Sequence, residues 1–132
     1  MAASYLFNGM ERIADARRAA LSFLDEARVL HGLVVSARAA EVVELIVSEL
    51  ITNARKYAPG PHRLALEVTD GAVEVSVWDS NPTPPALLPP DPFRIGQHGL
   101  EIVIAAAKSF QISHDPTGKR ITASVLLADD DY

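Results

Sequence analysis

The chain has 132 residues, 48% of them hydrophobic, a formal charge of −5 and no cysteine, which predicts one globular domain over residues 1–132 and excludes disulfides and thiolate metal sites. Its twelve Lys and Arg are scattered, so the basic footprint of a nucleic-acid binder is missing. No apolar run approaches the roughly 18 residues of a membrane span and the first residues lack the pattern of a signal peptide, so a soluble cytoplasmic protein, with neither nucleic acid nor membrane as partner, is expected.

Ser4 to Asn8 reads as a short edge strand or a tail. From about Met10 to His31, Ile13, Ala16, Ala20, Phe23, Leu24 and Ala27 recur at helical spacing, and Gly32 stands where a left-handed terminus belongs. Ser36 is a candidate N-cap for a second helix running to about Tyr57, with Glu41 near its positive end and Pro59-Gly60-Pro61 closing it. The period then changes. Leu64, Leu66 and Val68 alternate, Asp70-Gly71 offers a tight turn, and Val73, Val75 and Val77 alternate again, which predicts a hairpin with one buried face.

Residues 80–98 carry Pro82, Pro84, Pro85, Pro89, Pro90 and Pro92, too many prolines for a helix or strand, in a connection long enough to expect a function of it. Gly99 to Ala107 reads as a short apolar helix. Phe110 to His114 and Ile121 to Leu127 read as strands joined across Asp115-Pro116-Thr117-Gly118, and residues 128–132 form an acidic tail expected to fray. This order predicts an α+β fold: a two-layer sandwich with a mostly antiparallel mixed sheet covered on one face by helices.

Three places concentrate polar groups against that background. Residues three, four and seven apart share a helix face, so Glu49, Thr52, Asn53 and Lys56 form one stripe that continues the apolar Val42, Leu45 and Ile46. The stripe is either the solvated side of an amphipathic helix or the wall of a site. Asp79 shares the parity of Val73, Val75 and Val77 and so faces the helices, where its carboxylate needs a donor: a backbone N–H of the following turn, or a ligand. Gly96 and Gly99, at the start of an apolar helix, either form a hinge or let backbone N–H groups approach a phosphate.

In this order the pieces resemble the Bergerat-type ATP-binding fold of the GHKL superfamily, and within it the small bacterial anti-sigma-factor serine kinases, from about Ala19 to Leu127. The matching stretches are Glu49-Leu50-Ile51-Thr52-Asn53-Ala54, Val77 to Pro82, and His98 to Val103. The resemblance implies that Asn53 holds the Mg2+ bridging the phosphates of ATP and that Glu49, one turn back, is the general base. It implies that Asp79 accepts the adenine amino group, that Asn81 follows it at the nucleotide, and that Gly96, His98, Gly99 and Leu100 end an ATP lid spanning 80–98. Lys56, one turn beyond Asn53, is placed within reach of phosphate by the helical stripe.

The implied function is an ATP-binding regulator that phosphorylates a serine of an antagonist protein, binds a sigma factor and forms a homodimer, with ATP and ADP as its nucleotides. The alternative is a weakly catalytic or nucleotide-free module that sequesters a sigma factor or another regulator. A third reading, the catalytic domain of a histidine kinase, requires a separate partner chain, because His31, His62, His98 and His114 lie in no long helical hairpin. The sequence departs from the family where Asn81 replaces a glycine, Gln97 stands at the first glycine of a G-x-G, His98 stands where arginine is frequent, and Lys119 follows Gly118 where threonine is usual, leaving Thr122 late and on the opposite parity to Ile121, Ala123 and Val125. The uncovered sheet face, marked by Ala72, Glu74, Ser76 and Trp78, is where a dimer is expected.

Overall fold

The computed structural model describes residues 1–57, 60–81 and 99–128. After strand β1 (Ala2–Phe7), the chain enters helix α1 (Ile13–His31), whose buried face is Ala16, Ala20, Phe23, Leu24 and Ala27, the stripe that the periodicity predicts. The helix starts three residues after Met10 because Asp15 turns back to accept the Arg12 N–H at 3.1 Å, fixing the first turn there. Gly32 ends it with φ +64, and the Leu33 N–H reaches back to the Ala27 carbonyl at 3.0 Å.

Helix α2 (Ala37–Tyr57) is capped by the Ser36 hydroxyl, which accepts the Ala39 N–H at 3.0 Å. Its inner face, Ala39, Val43, Ile46, Val47, Leu50, Ile51 and Ala54, is buried. The helix crosses strands β3 (Ala72–Asp79) and β5 (Gly118–Leu126) at the middle of the sheet, with α1 beside it over β2 (His62–Thr69) and α3 (Gly99–Ala106) beside it toward β4 (Ser109–Asp115). The centre of the helical layer therefore lies over the centre of the sheet.

Among the described residues the sheet has five strands in the order β1-β2-β3-β5-β4, each paired antiparallel with its neighbours. Its helix-facing side is Leu64, Leu66, Val73, Val75, Val77, Ile121, Ala123 and Val125, all buried, so the alternation in the sequence selects the packed face as expected. The β2–β3 turn is Asp70-Gly71 with φ +51 and +75, the double positive φ of a type I′ hairpin turn. β1 is an edge strand, beginning at Ala2 rather than Ser4.

The outer face carries Ser76 and Thr122, whose hydroxyls lie 3.0 Å apart, with the Arg120 guanidinium donating to Ser76 Oγ at 3.1 Å. Trp78 and Leu126 are exposed on it. At the β4–β5 turn the Asp115 carboxylate accepts the Thr117 hydroxyl and the backbone N–H groups of Thr117 and Gly118, and these bonds, the hydroxyl foremost, hold it below the ordinary carboxylate range. The tight turn lets β5 begin at Gly118, three residues before the strand expected from the sequence. Of the proline-rich segment, 82–98 lie outside the described residues, as do 129–132 of the tail.

Candidate functional site

The polar stripe of α2 does not lie uniformly in solvent. Asn53 is buried, at 8% exposure, Glu49 is half-buried, and Thr52 and Lys56 are exposed. The stripe thus straddles the margin of the packed face, with Asn53 on its inner side. Thr52 turns its hydroxyl to the Ser48 carbonyl at 2.7 Å, and Ser48 donates to the Glu44 carbonyl at 2.9 Å, so both bond within their own helix. Asn53 does not: its Nδ2 is buried without a hydrogen-bond partner among the described residues. A buried amide donor left unpaired costs about 1–3 kcal/mol; Arg55 Nε is the other such atom of α2, but its guanidinium already donates to the Glu11 carbonyl, which leaves Asn53 as the α2 side chain that calls for an acceptor from outside.

At the end of β3, Asp79 is buried on the helix side, as its parity requires. Both of its carboxylate oxygens are engaged. Oδ1 accepts the Asn81 N–H at 2.9 Å, the turn-capping bond anticipated before Pro82, and Oδ2 lies 2.8 Å from Lys119 Nζ. The two side chains are 2% and 1% exposed. The turn N–H is one of the two donors expected for this carboxylate; the cation from β5, which compensates its charge, is not among them. The approach is close but poorly aligned for hydrogen bonding, so the ammonium is held by charge while its N–H groups remain without an aligned acceptor.

The sheet register explains the pair. Phe7, His62, Asp79, Lys119 and His114 follow one another across β1, β2, β3, β5 and β4, so they form a single row at one end of the sheet. His62 and Lys119, like Asp79, are buried in that row. His62 packs its ring on Phe7 at 5.6 Å between centroids, turns Nδ1 toward the Gly60 carbonyl at 3.3 Å, and leaves Nε2 without a partner. Neither His62 nor Lys119 is a site residue by sequence, where one is only a histidine outside any helical hairpin and the other a departure from the usual threonine. The signal for Lys119 was present: it shares the parity of Ile121, Ala123 and Val125, which places it on the buried side once β5 extends back to it.

β5 can extend because Gly118 is a glycine. A Cβ there would overlap the carbonyl oxygen of Asp79 and touch Trp78 Cζ2 at 3.0 Å, so the two strands meet closely just where the ion pair forms. Of the remaining expected site residues, Gly99 and Leu100 open α3, with Leu100 buried. Gly96 and His98 lie outside the described residues. α3 and β3 both pack on α2. Among the described residues there is no group of three or more His, Asp or Glu fit to hold a metal on its own, so a cation at Asn53 would share its shell with ligand oxygens and water, as Mg2+ does on phosphates.

Comparison with known proteins places this arrangement. The chain resembles the structure of the RsbU and RsbW domains of Rv1364c from Mycobacterium tuberculosis, with TM-score 0.70 and 19% identity over 96% of this chain and 32% of that one. It resembles the histidine kinase domain of the blue-light activated histidine kinase of Erythrobacter litoralis EL346, with TM-score 0.56 and 19% identity over 85% of this chain and 61% of that one. It also resembles the Acinetobacter baumannii histidine kinase AdeS, with TM-score 0.54 and 16% identity over 96% and 68% of the two chains. The chain thus spans about a third of the first of these structures and under two thirds of the second. No curated protein matches it significantly. At these identities the structures share the fold, and the family rests on the sequence itself: the profile of the histidine kinase-like ATPase domain matches residues 10–125, and the chain belongs to that family.

Proposed function

We propose that the chain is an ATP-binding regulatory domain acting as a Mg2+-dependent serine kinase on a partner protein. The observation that carries the reading is the buried, unpartnered Nδ2 of Asn53 on the inner edge of the polar stripe. An amide at that place offers a donor to a phosphate oxygen and an acceptor to a hard cation. Asn53 Oδ1 would hold the cation, Lys56 would meet the phosphates from the exposed end of the stripe, and the backbone N–H groups of Gly99 and Leu100, at the positive end of α3, would face phosphate with Gly96 and His98 before them. Asp79 and Asn81 would lie at the base. Magnesium, when bound, supplies charge neutralisation across the phosphate oxygens.

Glu49, one helical turn before Asn53 and half-buried, is placed to take the proton of a serine hydroxyl. As that proton leaves, the serine oxygen forms its bond to the γ-phosphorus and the bond from phosphorus to the bridging oxygen breaks, releasing ADP. The protein's own contribution is position and a fixed polar surface. The partner would be a small antagonist protein carrying the serine, with a sigma factor as the regulated target and a homodimer of this chain as the acting form. The test is Glu49→Gln with γ-labelled ATP and candidate antagonists. ATP affinity should stay within about twofold of the parent while transfer to serine falls by about 10²–10⁴-fold, the range typical of losing a general base; transfer that survives the substitution would remove Glu49 from this role.

A second reading has its own observation. In this reading the closed Asp79–Lys119 pair keeps nucleotide affinity low by withholding a contact to the base, and the fold serves to sequester a sigma factor or another regulator without phosphoryl transfer. Tight complexes with such a partner, formed without ATP and without transfer, would favour it.

A further inference from the structure

The Lys119–Asp79 pair has the properties of an occupied binding position. A lone buried carboxylate recruits a ligand because it lacks a donor, yet Asp79 has one donor from its own turn and a full positive charge on its other oxygen. The pair is anchored on both sides. Asp79 and Lys119 face each other in register on adjacent strands, and the close contact of Gly118 with the Asp79 carbonyl holds those strands together at this point. With side-chain exposures of 2% and 1%, neither charge is presented outward. An N–H arriving from a ligand meets a carboxylate whose charge the buried ammonium already holds, and drawing the carboxylate away would leave that ammonium buried without its anion.

We propose that Lys119 is a specificity-determining residue: its ammonium holds the Asp79 carboxylate from within the chain, so nucleotides bind through their phosphates and the base is not read. This rests on the nucleotide site proposed above and adds to it the ligand class, nucleoside triphosphates irrespective of base. The phosphate side of that site, centred on Asn53, belongs to α2 and does not depend on the pair. A purine amino group, which would need the carboxylate as acceptor, gains nothing over a carbonyl at the same ring position. Replacing Lys119 by threonine removes the competing cation and leaves a shorter hydroxyl beside Asp79.

The experiment titrates ATP, ITP and inorganic tripolyphosphate, each with Mg2+, into the parent protein, Lys119→Thr and Lys119→Arg. ITP carries a carbonyl where ATP carries the amino group, so their ratio reports whether the carboxylate accepts from the base. The parent and Lys119→Arg should bind ATP and ITP within about twofold of each other, while Lys119→Thr should bind ATP about tenfold more tightly than the parent and prefer it to ITP by about tenfold, the worth of one well-made hydrogen bond to a charged acceptor. A parent protein that already prefers ATP by tenfold, or a Lys119→Thr protein with unchanged affinities, overturns the proposal while leaving phosphate binding intact. Failure of every protein to bind any of the three ligands overturns the nucleotide site and this proposal together. If Lys119→Thr does not fold, the ATP-to-ITP ratio of the parent decides alone: equality supports the lock and a tenfold preference refutes it.

Discussion

At the scale of single residues, the site is a contest over two polar groups, one short of a partner and one supplied. Among the described residues Asn53 Nδ2 has no acceptor, whereas Asp79 has both an N–H donor and a cation. Removing one member of a buried pair typically costs 3–5 kcal/mol, roughly, because the survivor keeps its charge without compensation. The pair therefore counts for stability as well as for binding. Its geometry depends on Gly118, where a methyl group would overlap the Asp79 carbonyl oxygen. Gly118→Ala should destabilise the fold by about 1–3 kcal/mol, the usual cost of overpacking, read as a lower urea midpoint with unchanged slope. An unchanged midpoint would mean that β5 can retreat from β3 and that the contact does not fix the pair. Asp79 was legible from its parity with Val73, Val75 and Val77. Lys119 was not, because the Gly118-Lys119-Arg120 run reads as turn by composition and only the strand register shows it to be sheet.

At the scale of elements, the helices and strands follow from local rules that the sequence states openly. Ser36 is a cap because its hydroxyl accepts the Ala39 N–H at 3.0 Å, and Ser36 is further tied by its own N–H to the Leu127 carbonyl at 2.7 Å. Ser36→Ala keeps the second bond and loses the first, so it should cost about 1 kcal/mol of stability, the common value for an N-cap, and thermal unfolding measures it directly. A loss near zero would show that the backbone tie alone starts α2. The periodicity of α1 and α2 and the Asp70-Gly71 turn were equally legible, since each depends on spacing or on φ preference within a few residues. Element ends were less so. α1 begins at Ile13 because of a side-chain return from Asp15, and β5 begins early because Asp115 closes a tight turn on Thr117 and Gly118. Both depend on hydrogen bonds whose partners a hydrophobic pattern does not specify.

At the scale of the whole molecule, one layer of helices covers one face of an antiparallel sheet, and α2 is the centre of the core and, in the function proposed here, a wall of the nucleotide site. That double duty explains the change of character along a single helix face. Its apolar residues bury the helix on β3 and β5, and its last turns bring Glu49, Asn53 and Lys56 to the rim. The opposite sheet face carries Trp78 and Leu126 exposed beside the Ser76, Thr122 and Arg120 hydrogen bonds. The motifs along the chain announced the family, and the family profile over 10–125 agrees with them. What they left out is the pairing of Asp79 with Lys119, on strands that bring together residues 40 apart in sequence.

In the proposed function Asn53 organises a phosphate and magnesium site on α2, and the measurement that isolates it is calorimetric titration of ATP, with and without Mg2+, into the parent and Asn53→Ala. Binding in the parent should be saturable, require Mg2+ and weaken by at least about tenfold in Asn53→Ala, as expected when a hydrogen bond to a charged ligand is lost. Binding of equal strength in the two proteins, or binding indifferent to Mg2+, would contradict it.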